Sequence, residues 1–510
     1  MKPSTSNDLK DFDWETPCPT QAGLPPPVAP DSITQSTDAA QTVSHPAPQS
    51  PTREITIKVA KSLAAVLIGT LIIRLASQTM SQMLQFYFAR IDRDYFSLSH
   101  TVTGLVTASF FVTELLGSPI FGALSDRQGR RRFILLGPLL GALAVQITSM
   151  TMAIWLLVIT RLLEGLSTAS SVPATLGFIT DATTGRPNLR ARIMGLFEIT
   201  FIGGVAAGAI TGGYLWKFFS DPKIIAGIHF FSPAFSLNGG VYLLSFVVFL
   251  WGLRDIPGKL AGVSPPVRGH AILGSITSAK PVSRDTAIAT ARVRMSRYIA
   301  VLKSKPVFDF APAWLAVNSV IGMWINHSPR LLTGKERHTR QVLMGNFGPL
   351  KFGYGFAIFL IVFALGALVW SLFMGKYRKT GVMLIATAGL FLTLFMIYFL
   401  NHGAKFSPGA NHVIFGGLIG GLLLMSGFTP AALTYLADIS ELHAEDRGSI
   451  MGLYTVFLGV GQVLGTAVGG FFATWRGVDG LIILSLLFGT VTIGSLTYLR
   501  AQENAGAIRE

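Results

Sequence analysis

Long apolar runs constrain this chain more than any other feature. After residue 55, runs of roughly 18 to 27 residues recur, each long enough to cross about 30 Å of hydrocarbon as an α-helix. Lipid admits helices because they satisfy their own backbone hydrogen bonds. We therefore predict an all-α membrane protein with twelve spans, near 60–88, 100–124, 132–152, 154–180, 192–218, 237–253, 306–328, 352–374, 381–401, 411–437, 449–474 and 480–499.

Composition and charge support this class. Only 13% of the 510 residues are charged, whereas soluble domains carry about 25%. The net charge of +15 does not predict a nucleic-acid partner, because the basic residues cluster in short connections between spans, as the positive-inside rule requires. We expect a multi-pass protein of the plasma or bacterial inner membrane, embedded in the lipid bilayer, with both termini cytoplasmic. The single cysteine, Cys18, excludes an intrachain disulfide.

Five segments follow from these patterns. They are a disordered cytoplasmic tail (1–55), a first six-helix bundle (56–254), a basic cytoplasmic linker (255–305), a second bundle (306–500) and a short cytoplasmic tail (501–510). A basic stretch within the linker suits a helix on an anionic leaflet or a plain solvated helix. Residues Arg330 to Arg340 break the charge rule, since they put basic residues in an external loop; either that loop folds on itself or the span boundary is wrong.

An internal repeat relates the two bundles. Residues 173–213 match 430–470 without a gap at an offset of 257 (430 minus 173), and the match includes Asp181 with Asp438. Such an offset predicts duplication of a six-helix unit in the same membrane orientation. The repeated glycines, four residues apart, predict close packing of the fifth and eleventh spans against their partners. These glycines are Gly204, Gly208, Gly212, Gly213, Gly461 and Gly465.

The connection after the second span reads GALSDRQGRRR, from Gly122 to Arg132. It resembles the signature loop of the major facilitator superfamily, a family of transporters with two parallel six-helix bundles. The resemblance implies a gating network that closes the cytoplasmic side, with Asp181 and Arg190 of the next connection as partners. The implied gating residues are Gly122, Asp126, Arg127, Gly129, Arg130, Asp181 and Arg190. The second-half loop, GKYRKTG from Gly375, keeps the charge but lacks the aspartate, so a second latch is not predicted.

Two further segments resemble patterns of this family. RLLEG, from Arg161, is similar to a motif whose buried arginine is linked to proton coupling, and Glu164 lies one turn further on. A structural ion pair and a coupling role are equally compatible with this spacing. GVAAGAITGG, from Gly204, looks like the antiporter signature of the family, which favours export. Ala209 stands where that signature has proline.

Charges inside spans are costly and mark cavities or partners. The candidates for coupling or substrate binding are Arg74, Glu114, Arg161, Glu164 and Glu198. Glu114 and Glu198 best suit proton exchange, because a partly desolvated carboxylate can bind a proton in one state and release it in another. Alternatively, Glu114 only neutralises Arg74. Arg74 could also bind an organic anion through its planar guanidinium. In the seventh span, Trp314 and Trp324 are either packing residues or aromatic binding groups.

No nucleotide-binding loop, metal-ligand cluster or nucleophile motif occurs in the sequence, so we expect neither an enzyme nor a cofactor. The leading hypothesis is a monomeric secondary transporter that exports small amphipathic compounds in exchange for protons. An organic-anion or metabolite transporter centred on Arg74 is the alternative within this class. A receptor or assembly factor that kept the fold without transport is the alternative from another class.

Overall fold

The computed structural model describes residues 53–225, 227–253, 305–334, 340–403, 408–442 and 447–505. All belong to one compact unit, Thr52–Glu510. The predicted tail before residue 53 and the predicted linker before residue 305 lie outside the described residues. Their predicted boundaries and roles therefore stay predictions.

Six helices form the first half. They are α1 (Arg53–Asp94), α2 (His100–Gln128), α3 (Arg130–Ser149), α4 (Ile154–Ala182), α5 (Pro187–Phe219) and α6 (Pro233–Gly252). Local chemistry sets several of these ends. Ser99 caps α2 by accepting a hydrogen bond from the backbone of Val102. Gly129 separates α2 from α3 with φ at +97°, a value that favours glycine. A short antiparallel pair, β1 (Lys223–Ile225) and β2 (Ile228–Phe230), connects α5 to α6 with Lys223 opposite Phe230.

The second half continues with six further helices. They are α7 (Lys305–Thr333), α8 (Pro349–Phe373), α9 (Lys379–His402), α10 (Pro408–Met425), α11 (Phe428–Leu442) and α12 (Arg447–Asn504). The last helix is interrupted at Arg476 and Gly477, where the backbone leaves helical geometry. The stretch Gly409–Ile439, across α10 and α11, is apolar enough to form one span.

Ten helical segments of the described chain are long and apolar enough to cross a membrane. The predicted count of twelve differs for two reasons. One segment, Thr455–Asn504, contains the interruption that divides α12. The helix α4, which carries Arg161 and Glu164, is not among the ten. The protein is thus a nearly all-helical, multi-pass membrane protein, and the count of twelve stays a prediction.

Glycines let the helices of each half approach closely. A Cβ added at Gly204 of α5 would lie 2.6 Å from the carbonyl oxygen of Leu71 in α1. In the second half, a Cβ at Gly461 of α12 would lie 2.9 Å from the carbonyl oxygen of Leu315 in α7. Both distances are too short for a real side chain, so only glycine permits these contacts. The repeated glycines therefore lie at equivalent places in the two halves.

The halves meet at the end of the membrane region where α1 ends and α2 begins, which we call the closed end. Here a Cβ at Gly104 of α2 would lie 2.8 Å from the carbonyl oxygen of Thr466 in α12. Its counterpart is Gly353 of α8 (353 minus 104 gives 249), where a Cβ would lie 2.5 Å from the carbonyl oxygen of Ala209 in α5. The offset of 257 likewise relates Ala209 to Thr466. The closed end is therefore built from two equivalent backbone contacts.

The boundary predicted for the seventh span is too early. The helix α7 continues to Thr333, and Arg330 is buried within it rather than exposed in a loop. This position removes Arg330 from the basic external connection that broke the charge rule. Of the remaining residues of that connection, 335–339 lie outside the described chain.

We predict that Gly353→Val separates the halves at the closed end. The new side chain would meet the backbone of α5, which cannot rotate away, and overpacking of about 1–3 kcal/mol shifts a two-state equilibrium by roughly tenfold. Spin labels on cysteines at Phe96 and Val342, with Cys18 replaced by serine, report the separation through their distance distribution. Gly355→Val is the matched control, because no atom lies within 4 Å of its Cβ position. Equal distances in both variants would contradict the assigned contact.

Candidate functional site: charged side chains within the spans

The intramembrane charges predicted as site residues all lie in the first half. Arg74 is on α1, Glu114 on α2, Arg161 and Glu164 on α4, and Glu198 on α5. They divide into a neutral ion pair, Arg161 with Glu164, and a group of three that form no ion pair with another described residue.

Arg161 and Glu164 form the ion pair. Both side chains are fully buried, and the guanidinium of Arg161 also lies 4.7 Å from the ring centroid of Phe110 on α2. Glu164 interacts electrostatically with the buried Tyr242 of α6. One turn of helix separates the two charges, so each offsets the cost of burying the other.

Arg74 does not form an ion pair with either Glu114 or Glu198. Its guanidinium instead lies 4.2 Å from the ring centroid of Phe201 on α5. Both carboxylates nevertheless interact electrostatically with Arg74, so the three groups share one region of the first half. Glu114 is partly buried and Glu198 is exposed. A direct ion pair of Arg74 with Glu114 is thus not the arrangement found, and the three charges interact at longer range.

Glycine packing places Arg74 within this region. Gly204 of α5 lies against α1 beside Arg74, with a Cβ-to-Cβ distance of 2.8 Å if a Cβ were added. In the second half, Gly461 lies in the same way beside Asn318, at 2.6 Å. Asn318 is therefore the counterpart of Arg74, at an offset of 244 (318 minus 74). The first half has a charge where the second half has an amide.

The aromatic candidates of the seventh span are packing residues. Trp314 is buried between the rings of Phe310 and Phe428, at centroid distances of 6.2 and 6.0 Å. The indole of Trp324 donates a hydrogen bond to Ser485 at 2.9 Å. Both side chains thus stabilise the second half.

Arg130 is the centre of the predicted gating loop. Its Nη1 lies 2.6 Å from a carboxylate oxygen of Asp126, and its Nε donates to Asp181 at 2.6 Å. The guanidinium lies against Gly177 of α4, where a side chain would clash with it. Gly122 faces Pro173 of α4, at 3.6 Å from its Cβ position. The arginine therefore joins the α2–α3 connection to the end of α4, within the first half.

The other two basic residues of the predicted network lie apart from Asp126. Arg190 donates to the side chain of Thr183 at 3.2 Å and to the carbonyl oxygen of Thr180 at 3.3 Å, so it holds the end of α4. Arg127 is exposed and has no ion pair with a described residue. Neither residue is brought to the carboxylate of Asp126.

The second half has an equivalent ion pair that the motif did not predict. Lys379 lies 2.9 Å from a carboxylate oxygen of Asp438. Asp438 is the repeat counterpart of Asp181, and Lys379 corresponds to Arg130 at an offset of 249 (379 minus 130). Gly375 then stands at the position of Asp126. The ion pair across the connection is therefore kept although the aspartate within the loop is lost.

The charged residue missed by the sequence analysis lies at the closed end. Arg330 of α7 donates to the carbonyl oxygen of Leu98 at 2.5 Å and to the side chain of Thr103 at 3.0 Å, and lies 3.4 Å from a carboxylate oxygen of Asp92. Nearby, the hydroxyls of Thr101 and Thr474 are 3.1 Å apart. These contacts join the two halves directly. A charged residue near the end of an apolar run was the available signal.

Comparison with known proteins identifies the family. The family model of the major facilitator superfamily matches residues 66–338 and 340–509. The chain belongs to the major facilitator superfamily. Multidrug resistance protein 1 of Bacillus subtilis (strain 168) is 24% identical over 381 residues, which are 73% of this chain and 81% of that protein. The tetracycline resistance protein, class C, of Escherichia coli is 38% identical over 113 residues, 22% of this chain and 28% of that protein.

Solved structures of the superfamily share the fold. The nucleoside transporter NupG has a TM-score of 0.62 at 11% identity and covers 86% of this chain and 98% of its own. An inward-facing, occupied bacterial homologue of the human lysosomal transporter Spinster has a TM-score of 0.62 at 14% identity, covering 87% and 96%. The predicted helical membrane fold of the superfamily is confirmed, and this superfamily protein is a secondary transporter of small molecules.

We predict that Arg330→Gln opens the closed end. Each lost hydrogen bond to a charged donor contributes about 1.5–3 kcal/mol, so the population with separated halves should rise at least tenfold. The Phe96 and Val342 spin labels measure this population. Arg93→Gln is the control, because Arg93 is exposed and pairs with its neighbour Asp94. Arg330→Lys should restore part of the closed population, since it keeps the charge without the planar fork. An unchanged distance in Arg330→Gln would contradict the assignment.

Proposed function

We propose that this transporter exports small amphipathic compounds, chiefly cations, in exchange for protons. The observation that carries the proposal is the group of Arg74, Glu114 and Glu198, in which two carboxylates share a region with one arginine and form no ion pair with it. Because Arg161 and Glu164 neutralise each other, the remaining charges sum to one negative charge when both carboxylates are ionised. This balance favours a cation over an anion.

Proton exchange follows from competition at the carboxylates. A bound cation stabilises the ionised form of Glu114 or Glu198, and a proton removes the negative charge that attracts the cation. The two ligands therefore disfavour each other's binding, which is the thermodynamic requirement for exchange. The ring of Phe201, close to Arg74, offers an apolar surface for the uncharged part of a solute.

The direction of transport rests on two supports. Curated relatives include multidrug and tetracycline resistance proteins, although the tetracycline protein matches over about a quarter of its length. The glycine pattern of α5 resembles that of antiporters. We place the closed end outside and both termini in the cytoplasm, so that this conformation faces inward to collect solutes. The ion pairs of Arg130 and Lys379 then lie at the cytoplasmic side, where we assign them a gating role.

We predict that Glu114→Gln and Glu198→Gln abolish accumulation driven by a pH gradient. One pH unit provides about 1.4 kcal/mol per exchanged proton, so each variant should lose about tenfold accumulation of ethidium in proteoliposomes for each unit of gradient. Exchange of internal for external ethidium without a gradient should persist, because one carboxylate remains to attract the cation.

The matched control is Glu503→Gln, which changes a carboxylate that accepts a hydrogen bond from Thr380 at the end of α12. It should leave accumulation unchanged. Full gradient-driven accumulation in both Glu114→Gln and Glu198→Gln would refute proton coupling at this site. Loss of exchange as well, in protein that remains folded, would assign the carboxylates to binding rather than to coupling.

Arg74 supports a second candidate function, the transport of organic anions, because no carboxylate of the described residues lies within ion-pair distance of its guanidinium. The two functions predict different effects of Arg74→Gln. For a cation exporter, removal of a like charge should tighten ethidium binding about fivefold, roughly 1 kcal/mol. For an anion transporter, the same change should abolish salicylate exchange and leave ethidium unaffected. Fluorescence titration and exchange in proteoliposomes distinguish these results, and Arg74→Lys controls for the charge alone.

A further inference from the structure

His327 of α7 lies buried at the closed end, close to the contacts of Arg330. Its Nε2 is 2.8 Å from the carbonyl oxygen of Thr466 on α12. A carbonyl oxygen only accepts hydrogen bonds, so Nε2 carries the proton of the neutral ring. The other nitrogen, Nδ1, is buried and has no hydrogen-bond partner among the described residues. The ring is thus held in one tautomer, with a single unoccupied position for a second proton.

Burial and two neighbouring basic groups disfavour that second proton. On α7 itself, Arg330 lies one turn further along and interacts electrostatically with His327. From α2, His100 is the titratable group that faces the ring, and Gly104 packs against it with a Cβ position 3.1 Å from Cε1. From α12, the uncharged carbonyl of Thr466 faces His327 and accepts its hydrogen bond, a contact that favours the charged ring without supplying a counter-charge. The nearby carboxylate, Asp92 of α1, is engaged by Arg330.

We propose that His327 is a proton-binding site that releases the closed end. A proton on Nδ1 would place a second cation beside Arg330 in a region sealed from water. When the halves separate, the same cation gains water and distance from Arg330. The protonated form is therefore stabilised in the separated state relative to the closed state, and binding of a proton shifts the population towards separation.

The sign of the pH dependence follows directly. The neutral ring stabilises closure at high pH, and this contribution is lost as the pH falls and the separated state takes up a proton. With one proton taken up, the ratio of closed to separated protein falls by at most about tenfold per pH unit. The proposal goes beyond the exchange function, since it involves neither Glu114 nor Glu198 and holds for any solute.

The test uses the full-length protein in lipid nanodiscs with spin labels at Phe96 and Val342 and Cys18 replaced by serine. Between pH 8 and pH 5, the fraction with long distances should rise by tenfold or more in the otherwise unchanged protein. His327→Gln keeps an N–H donor for Thr466 but cannot take up the proton, so its distance distribution should be the same at both pH values. If the labelled protein that keeps His327 shows no such rise, the proposal is overturned.

Two matched variants separate His327 from other histidines. His402→Gln removes a histidine that pairs with Asp479 on α12, outside the contacts of Arg330, and should leave the pH response intact. His100→Gln should reduce the response without abolishing it, because His100 only adds to the field at His327. A full response in His327→Gln, or its complete loss in His100→Gln alone, would assign the proton elsewhere and refute the proposal. If the halves of His327→Gln remain separated at pH 8, His327→Asn takes its place. The distance distribution of His327→Asn should then be the same at pH 8 and pH 5, and a pH response would refute the proposal.

Discussion

Close approach of backbones at glycines is the constraint on which the rest of this structure depends. In lipid, apolar side chains gain little by leaving their surroundings, so helices associate through tight packing. Gly204 and Gly461 allow this within each half, and Gly104 and Gly353 allow it between the halves. One kind of contact thus builds both the rigid bundles and the interface that must break during transport. The interface glycines face backbone atoms, so the contact is lost completely once the helices separate.

Charge is distributed between the halves in a way that the shared architecture does not require. The pseudo-equivalent positions Arg74 and Asn318 show this, because both lie beside a repeated glycine and only one is charged. Asn318 donates to the carbonyl oxygen of Trp314 within its own helix, at 2.8 Å. Arg74 instead lies against the ring of Phe201 on α5. Its charge interacts with Glu114 and Glu198, which supports our proposal that ion coupling takes place in the first half.

The fold could be predicted from sequence because apolar runs and the 257-residue repeat are properties of the chain itself. The loop from Gly122 to Arg132 was recognised from its motif, yet the motif could not show that Lys379 pairs with Asp438. That pair depends on where two connections meet in space, and the missing aspartate removed the local signal. Arg330 was misplaced for a related reason. A charge near the end of an apolar run reads as a loop residue, and only the arrangement of α1 and α2 reveals that carbonyl oxygens and Asp92 surround it.

The charged contacts at the two ends of the molecule differ in which parts they join. Arg330 connects α7 to the α1–α2 region, so its interactions exist only while the halves touch at the closed end. Arg130 and Lys379 instead connect segments within their own halves, so their ion pairs survive separation of the halves. Separation of the halves therefore changes the electrostatic energy of the Arg330 contacts more than it changes that of the Arg130 and Lys379 ion pairs. A change of charge next to Arg330 directly alters the energy difference between the closed and separated states. A change of charge beside Arg130 instead alters contacts within the first half.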